Sequence, residues 1–372
     1  MTGGRPRVAL MCDMDVVPWQ PIIGGFLTGL RSVGFEAQPF RLAKANANPL
    51  HLAELDEFAP ALVLWFPHSS QRDKWAPYID VVRFAPSAVL AFDDPFDIAT
   101  SLALLEELRE ADVEPVVLTR AALAVDPYKR EGFPAAELHP CIDPRVFFRI
   151  PRTGDGQHVV HVGGNWWRPR NRVLPVVKKW CRDRGYTFGE AAGKRAWLVG
   201  TELAKVFAHA QLVLEIPRFD LPTQSNPFQV PCAAPTPRLQ ILAACRAFAL
   251  VVTDNPAVTD PLQDIYPSCE TADVCDALGY WLDAGRKEER EAIRNLAEKA
   301  WRHHHDPRVR AAQLVNALRG FGWVVDRGVS ETAQLLLAPL ALDGCTPAPN
   351  AANEDGPSLP PSESSWTGGQ PT

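Results

Sequence analysis

Short apolar runs that stop at polar or small residues recur along this chain, and helical stretches separate them. Residues 7–12 (RVALMC) form the first run, and others lie at 61–66, 88–92 and 116–118. Strands so continuously apolar are buried on both faces, which requires a parallel sheet covered by helices. Parallel neighbours also need crossover connections, and helices are expected at 26–33 and 98–109. Gly24-Gly25 is read as opening the first of them. The spacing is not GxGxxG, so the dinucleotide fingerprint is absent. Ligands of such sheets bind beyond the carboxyl ends of the strands. His68, Asp93, Asp94 and Thr119 fall at those ends.

The alternation starts again after a turn-rich segment, PRTGDGQ, at 151–157. Strands are expected at 158–162, 210–216 and 248–253. Helices are expected at 172–184 (beginning in effect at Pro175), 237–245, 271–284 and 288–303. A chain of 372 residues is too long for one core and comfortable for two. The expected fold class is therefore α/β with two Rossmann-like domains, 1–152 and 153–330. Proline, serine and glycine dominate 346–372, which is expected to be a disordered tail.

The charge balance, 38 basic against 44 acidic residues, gives a net charge of −6 and no overall attraction for nucleic acid. No run approaches the length of a membrane span, and the N-terminus does not resemble a secretory signal. The eight cysteines are scattered without a CxxC pair. That pattern argues against a disulfide framework or a zinc site and for reduced thiols in the cytoplasm. His303, His304 and His305 are adjacent, and neighbours on a helix point about 100° apart. They cannot share one ion well, and no metal is expected.

The densest cluster of chemistry is Gly163, Gly164, Asn165, Arg168, Arg170 and Arg172, between a strand and a helix. Glycines let backbone amides approach an anion, the helix start adds positive potential, and arginines supply bidentate contacts to phosphate. The alternative is a solvated basic turn, or an arginine stacked on Trp166 or Trp167. A second helix start carries Thr236, Arg238 and Gln240; it serves equally as a ligand-facing end or as a packed helix with a Thr cap and Pro at its first position. Asp93-Asp94 could orient or deprotonate an acceptor, or cap the following helix. His68 is a weaker candidate of the same kind.

Taken in order, these segments resemble the spore-maturation CgeB-like glycosyltransferases, a branch near the retaining GT-B enzymes of family four. The resemblance runs through Asp93-Asp94-Pro95, the stretch Leu138 to Phe147, the loop Gly163 to Arg172, the helix from Thr236 through Arg238 and Gln240 into Arg246-Ala247-Phe248, and His305 with Arg310 at the spacing of a terminal His-x-x-x-x-Arg pattern. It implies a GT-B fold with two domains facing each other across a cleft. It implies transfer of a sugar from a nucleotide diphosphate sugar to an unidentified acceptor, with retention and without metal or other cofactor. Arg168, Arg170 and Arg172 would meet phosphate, Arg238 and Gln240 phosphate or ribose, and Asp93 or Asp94 the acceptor. The chain departs from the family where Gln240 replaces a glutamate, where Cys232 stands in place of a second glutamate, and where Arg246-Ala247 replaces a glycine pair. Those departures leave two alternatives open: a non-catalytic sugar-nucleotide-binding protein, and a sugar-nucleotide epimerase on the same fold.

Overall fold

Strand β1 (Arg7–Cys12) shows how the first sheet is built. Val8, Leu10 and Cys12 face one core, Ala9 and Met11 the other, and none is exposed. The protein is described here by a computed structural model covering residues 5–12, 20–42, 49–68, 75–151, 156–163, 170–190, 192–193, 196–197, 200–217, 224–231, 237–254, 262, 264–323 and 327–342. The expected tail at 346–372 lies outside the described residues.

Continuing from β1, the first domain comprises α1 (Gln20–Ser32), β2 (Glu36–Arg41), α2 (Pro49–Phe58), β3 (Leu62–Trp65), α3 (Ala76–Val82), β4 (Ser87–Ala91), α4 (Ile98–Glu110), β5 (Val116–Thr119), α5 (Val125–Arg130) and β6 (Ala135–Glu137). Its strands are parallel in the order β2-β1-β3-β4-β5-β6. The second domain contains β7 (Val159–His161), α6 (Arg170–Asp183), β8 (Phe188–Glu190), the small antiparallel pair β9 (Ala192–Gly193) and β10 (Ala196–Trp197), α7 (Gly200–His209), β11 (Leu212–Glu215), α8 (Pro237–Ala244), β12 (Ala249–Val252), β13 (Ser268–Cys269), α9 (Val274–Leu282) and α10 (Lys287–His304). Its main sheet is parallel in the order β13-β12-β11-β7-β8. In both sheets the first strand lies between the second and the third of its set. The winding therefore reverses between β1 and β3, and again between β7 and β11. Such reversals open the crevice in which α/β sheets bind ligands.

Several expected boundaries shift, each for a physical reason. Helix α1 begins at Gln20, not at Phe26, so Gly24 and Gly25 lie inside it. A Cβ on Gly25 would stand 2.8 Å from the carbonyl oxygen of Cys141, and one on Gly24 would collide with the Asp143 carboxylate. The glycines are there for close packing. Helix α6 begins at Arg170 and carries Pro175 within it, forgoing one backbone bond near its start. Strand β2 holds Pro39 because it is an edge strand, where a missing donor is tolerated.

Arg246, in the place of a glycine, adopts φ +55° after α8. Its guanidinium is held by Asn295 at 2.8 Å and Glu291 at 3.0 Å on α10, contacts that offset the left-handed backbone. Helices α11 (Pro307–Gly320) and α12 (Arg327–Leu342) return to the first domain and close over α1. One continuous core cluster runs from Leu10, Phe26 and Phe92 to Phe207 and Ala243 of the second domain and Leu314 of α11. No helix among the described residues is long and apolar enough to cross a membrane.

The α1–α11 crossing depends on Gly29, where a Cβ would collide with the backbone of Pro307 and stand 3.1 Å from Cβ of Ala311. Gly29→Ala should cost about 1–3 kcal/mol in urea unfolding. Gly320→Ala, where a Cβ would meet nothing within 4 Å, should cost nothing. Equal effects would show that the crossing does not depend on backbone approach.

Candidate active site

The reversal between β7 and β11 is lined by charged and polar side chains in an otherwise apolar sheet. The chain leaves β7 through Gly163, which has φ +138°, a conformation glycine adopts without strain. A Cβ there would lie 2.9 Å from Nη1 of Arg170 and 3.3 Å from Nη2 of Arg238. The absent side chain therefore leaves room over which two guanidinium groups converge.

Each arginine comes from the first turn of a helix, and each is fixed from β11 or the residue after it. Arg170, first in α6, is only 6% exposed and donates from Nε to the carbonyl of Ile216 at 2.7 Å. Arg238, in α8, donates to Oε2 of Glu215 at 2.5 Å, and Glu215 is wholly buried at the end of β11. Helix dipoles and guanidinium charges thus add at one point, the requirement for binding a phosphate group. Burial of Glu215 is tolerable because a cation is paired to it.

Beneath them, His161 closes β7. Its Nδ1 lies 3.0 Å from the carbonyl of Leu214, so Nδ1 carries the proton and Nε2 is an acceptor, buried and without a partner among the described residues. Burial first, then the charges of Arg238 and Arg170, push its pKa down to about 3, so the imidazole is neutral. Gln240, also in the first turn of α8, is 1% exposed, and its Oε1 has no partner among the described residues. Arg172 is exposed on α6. Gly164, Asn165, Arg168 and Thr236 lie outside the described residues.

In the first domain, His68 is half-buried three residues beyond β3, and Asp93 is half-buried after β4. Asp94 is fully buried. Its Oδ2 accepts from Thr119 Oγ1 at 2.8 Å and Tyr128 OH at 2.9 Å, while its backbone carbonyl accepts from Arg120 Nε at 2.7 Å. Oδ1 has no partner. Burial raises this carboxyl to about 7, against the hydrogen bonds of Thr119 and Tyr128 and the charge of Arg120; Asp93 adds to the rise. Helix α4 has Asp97, not Asp93 or Asp94, at its N-cap position, and the Asp97 side chain makes no cap bond but accepts from Thr100 at 2.8 Å. Among the described residues no cluster of three histidine, cysteine or acidic side chains could hold a metal ion. His161, Glu215 and Tyr128 were not singled out in the sequence. A charged or titratable residue ending an apolar strand, as in VVH and LVLE, is the signal that would have found the first two.

Asp94 and His161 act on stability in opposite directions. Asp94 is raised from 3.8, so its contribution is full below that value and disappears as pH rises to about 7. His161 is depressed from 6.5, so its contribution is full above that value and disappears as pH falls towards 3. Relative to the wild type, Asp94→Asn should gain stability between pH 4 and 7, and His161→Gln should gain it between pH 6 and 4. Chemical denaturation across pH measures both differences. Parallel curves would place neither group in its assigned charge state.

Residues 148–316 match the model of a family described as glycosyl transferase-like. Among solved structures, a UDP-N-acetylglucosamine 2-epimerase-type protein of Listeria monocytogenes superposes with a TM-score of 0.51 at 10% identity, over 87% of this chain and 98% of that one. A glycosyltransferase of Rickettsia africae gives 0.51 at 6% identity, over 87% and 100%. The chain spans 57% of the length of a chain in the accessory secretory protein 1, 2 and 3 structure of Streptococcus pneumoniae, with a TM-score of 0.45, 13% identity and 77% of this chain covered. No curated protein sequence matches. At such identities the likeness speaks to architecture alone: the chain has the GT-B fold, and its residues 148–316 are similar to glycosyl transferase-like domains.

Proposed function

We propose that this protein is a glycosyltransferase that holds a nucleotide diphosphate sugar at the β7–β11 crevice and transfers the sugar, with retention, to an acceptor on the first domain. The observation that carries this reading is the convergence of Arg170 and Arg238 over Gly163. In the transfer, the bond between the anomeric carbon and the diphosphate breaks and its electron pair goes to the phosphate oxygen. Two guanidinium groups and two helix starts stabilise that charge, so no metal is required. The acceptor oxygen bonds to the anomeric carbon, and its proton goes to a base. Asp94, with its carboxyl near 7 and one oxygen unpartnered, suits that role. Arg168 joins the phosphate site in this reading, and Gln240 meets phosphate or ribose. The thiols of Cys141, Cys181 and Cys245 are free and buried, which suits a reducing, cytoplasmic setting.

A second reading, binding without turnover, draws on one feature. Gln240 has no charge to strengthen a bond to ribose hydroxyls, and its Oε1 is buried without a donor. Acceptor-independent conversion of the sugar nucleotide would instead mark an epimerase.

A thermal-shift screen of UDP-, GDP-, dTDP- and ADP-sugars should find at least one that stabilises the protein. Arg170→Ala and Arg238→Ala should each weaken that ligand by about tenfold to a hundredfold. Stabilisation by none of them would refute the reading. Binding with no hydrolysis or transfer in the wild type, and none restored by Gln240→Glu, would favour the non-catalytic alternative.

A further inference from the structure

We propose that the segment Ser225–Val230, which comes from the second domain and docks on the first, positions Asp94 for the acceptor by acting through Phe228 and Tyr128. The inference rests on the glycosyltransferase reading in one respect, that Asp94 serves the acceptor.

Strand β11 and helix α8 both belong to the second domain, yet the chain between them crosses to the first. The carbonyl of Ser225 accepts from the backbone N–H of Ala99 at 3.1 Å. Ala99 lies in the first turn of α4, where Asp97 makes no cap bond, so the crossing segment satisfies a donor the helix leaves open. Asn226 gives the segment its shape. Its Nδ2 donates to the carbonyl of Val230 at 2.8 Å, and its Oδ1 accepts from the N–H of Val230 at 3.2 Å. Val230 is buried in the first domain's core with Met11, Trp65 and Leu105, and Phe228 packs against the same cluster.

The Phe228 ring stands edge-on to Tyr128, centroids 5.2 Å apart at 88°. Tyr128 is fully buried and donates its hydroxyl to Asp94. Phe228 therefore presses on the ring that aims the donor for Oδ2 and leaves Oδ1 unpartnered. The groups facing Asp94 are Thr119 at the end of β5, Arg120 just after it, Tyr128 of α5 and Asp93 of its own loop; Ser101 of α4 and Asp97 act on Tyr128. Among the described residues none of these groups belongs to the second domain, and Phe228 joins that domain to this carboxyl through Tyr128. The stretch that ends in Phe228 begins at Glu215 and Ile216, the residues that fix Arg238 and Arg170. One run of chain thus serves both the phosphate-binding arginines and the acceptor-side carboxyl.

Carbon-13 NMR titration of the Asp94 carboxyl, with donor affinity and acceptor KM measured alongside, tests the assignment. Phe228→Ala should admit water and lower the Asp94 midpoint by about one pH unit or more. It should raise acceptor KM and move the pH profile of kcat by the same amount, with donor affinity unchanged. Tyr128→Phe keeps both rings and removes a bond that favours the carboxylate, so it should raise the midpoint; it gives a reading should Phe228→Ala fail to fold. An unmoved midpoint in both variants, or donor affinity and acceptor KM worsening together, would overturn the proposal. If no nucleotide sugar binds the wild type, the glycosyltransferase reading fails, while the midpoints still decide whether Phe228 and Tyr128 control Asp94.

Discussion

Two positive charges held a few ångströms apart are the constraint around which the second domain is organised. Arg170 and Arg238 repel one another, and both sit at helix starts whose own potential is positive. The fold offsets this with a buried carboxylate, Glu215, and a backbone carbonyl, that of Ile216, supplied from consecutive residues where β11 ends. A neutral imidazole at His161 keeps a third positive charge out. Gly163 provides the space above. What remains is positive potential at the mouth of a sheet, the condition an oligophosphate would relieve.

The first domain answers with a different chemistry. Its buried carboxyl, Asp94, is held by two hydroxyl donors and is neutral or charged according to conditions near neutrality. The two domains share their winding, 2-1-3-4-5, yet one presents fixed cations and the other a titratable acid. That division of labour is what a transfer reaction needs: charge stabilisation on the donor side and proton handling on the acceptor side. The crossing segment with Phe228, and the return of α11 and α12 to α1, join the halves at two separate places.

Much of this architecture was legible in the sequence, because the central strands are unbroken apolar runs that end at polar residues. Strand β1 falls at its expected bounds, and Asp94, Gly163, Arg170 and Arg238 stand at strand ends or helix starts as the pattern implied. Edge strands were not legible. EAQPFR in β2 carries a proline and polar residues because four of its six residues are exposed, and β6, β8 and β13 are two or three residues long. The glycines of α1 signal a helix start locally but serve a helix crossing, which only tertiary packing reveals. Glu215 and His161 stand out only as polar ends of apolar strands, and their part in the site depends on the arginines beside them. Nothing in SNPFQV announces that it crosses to the other domain, since its binding partners lie a hundred or more residues away in sequence.

The central claim is that the arginine pair over Gly163 holds the diphosphate of a sugar nucleotide. A crystal structure with a nucleoside diphosphate bound tests it most directly. The account predicts the phosphates in the crevice between β7 and β11, with oxygens in hydrogen-bond reach of both the Arg170 and the Arg238 guanidinium groups. A diphosphate seated elsewhere, with Arg170 and Arg238 making no contact to it, would contradict the account.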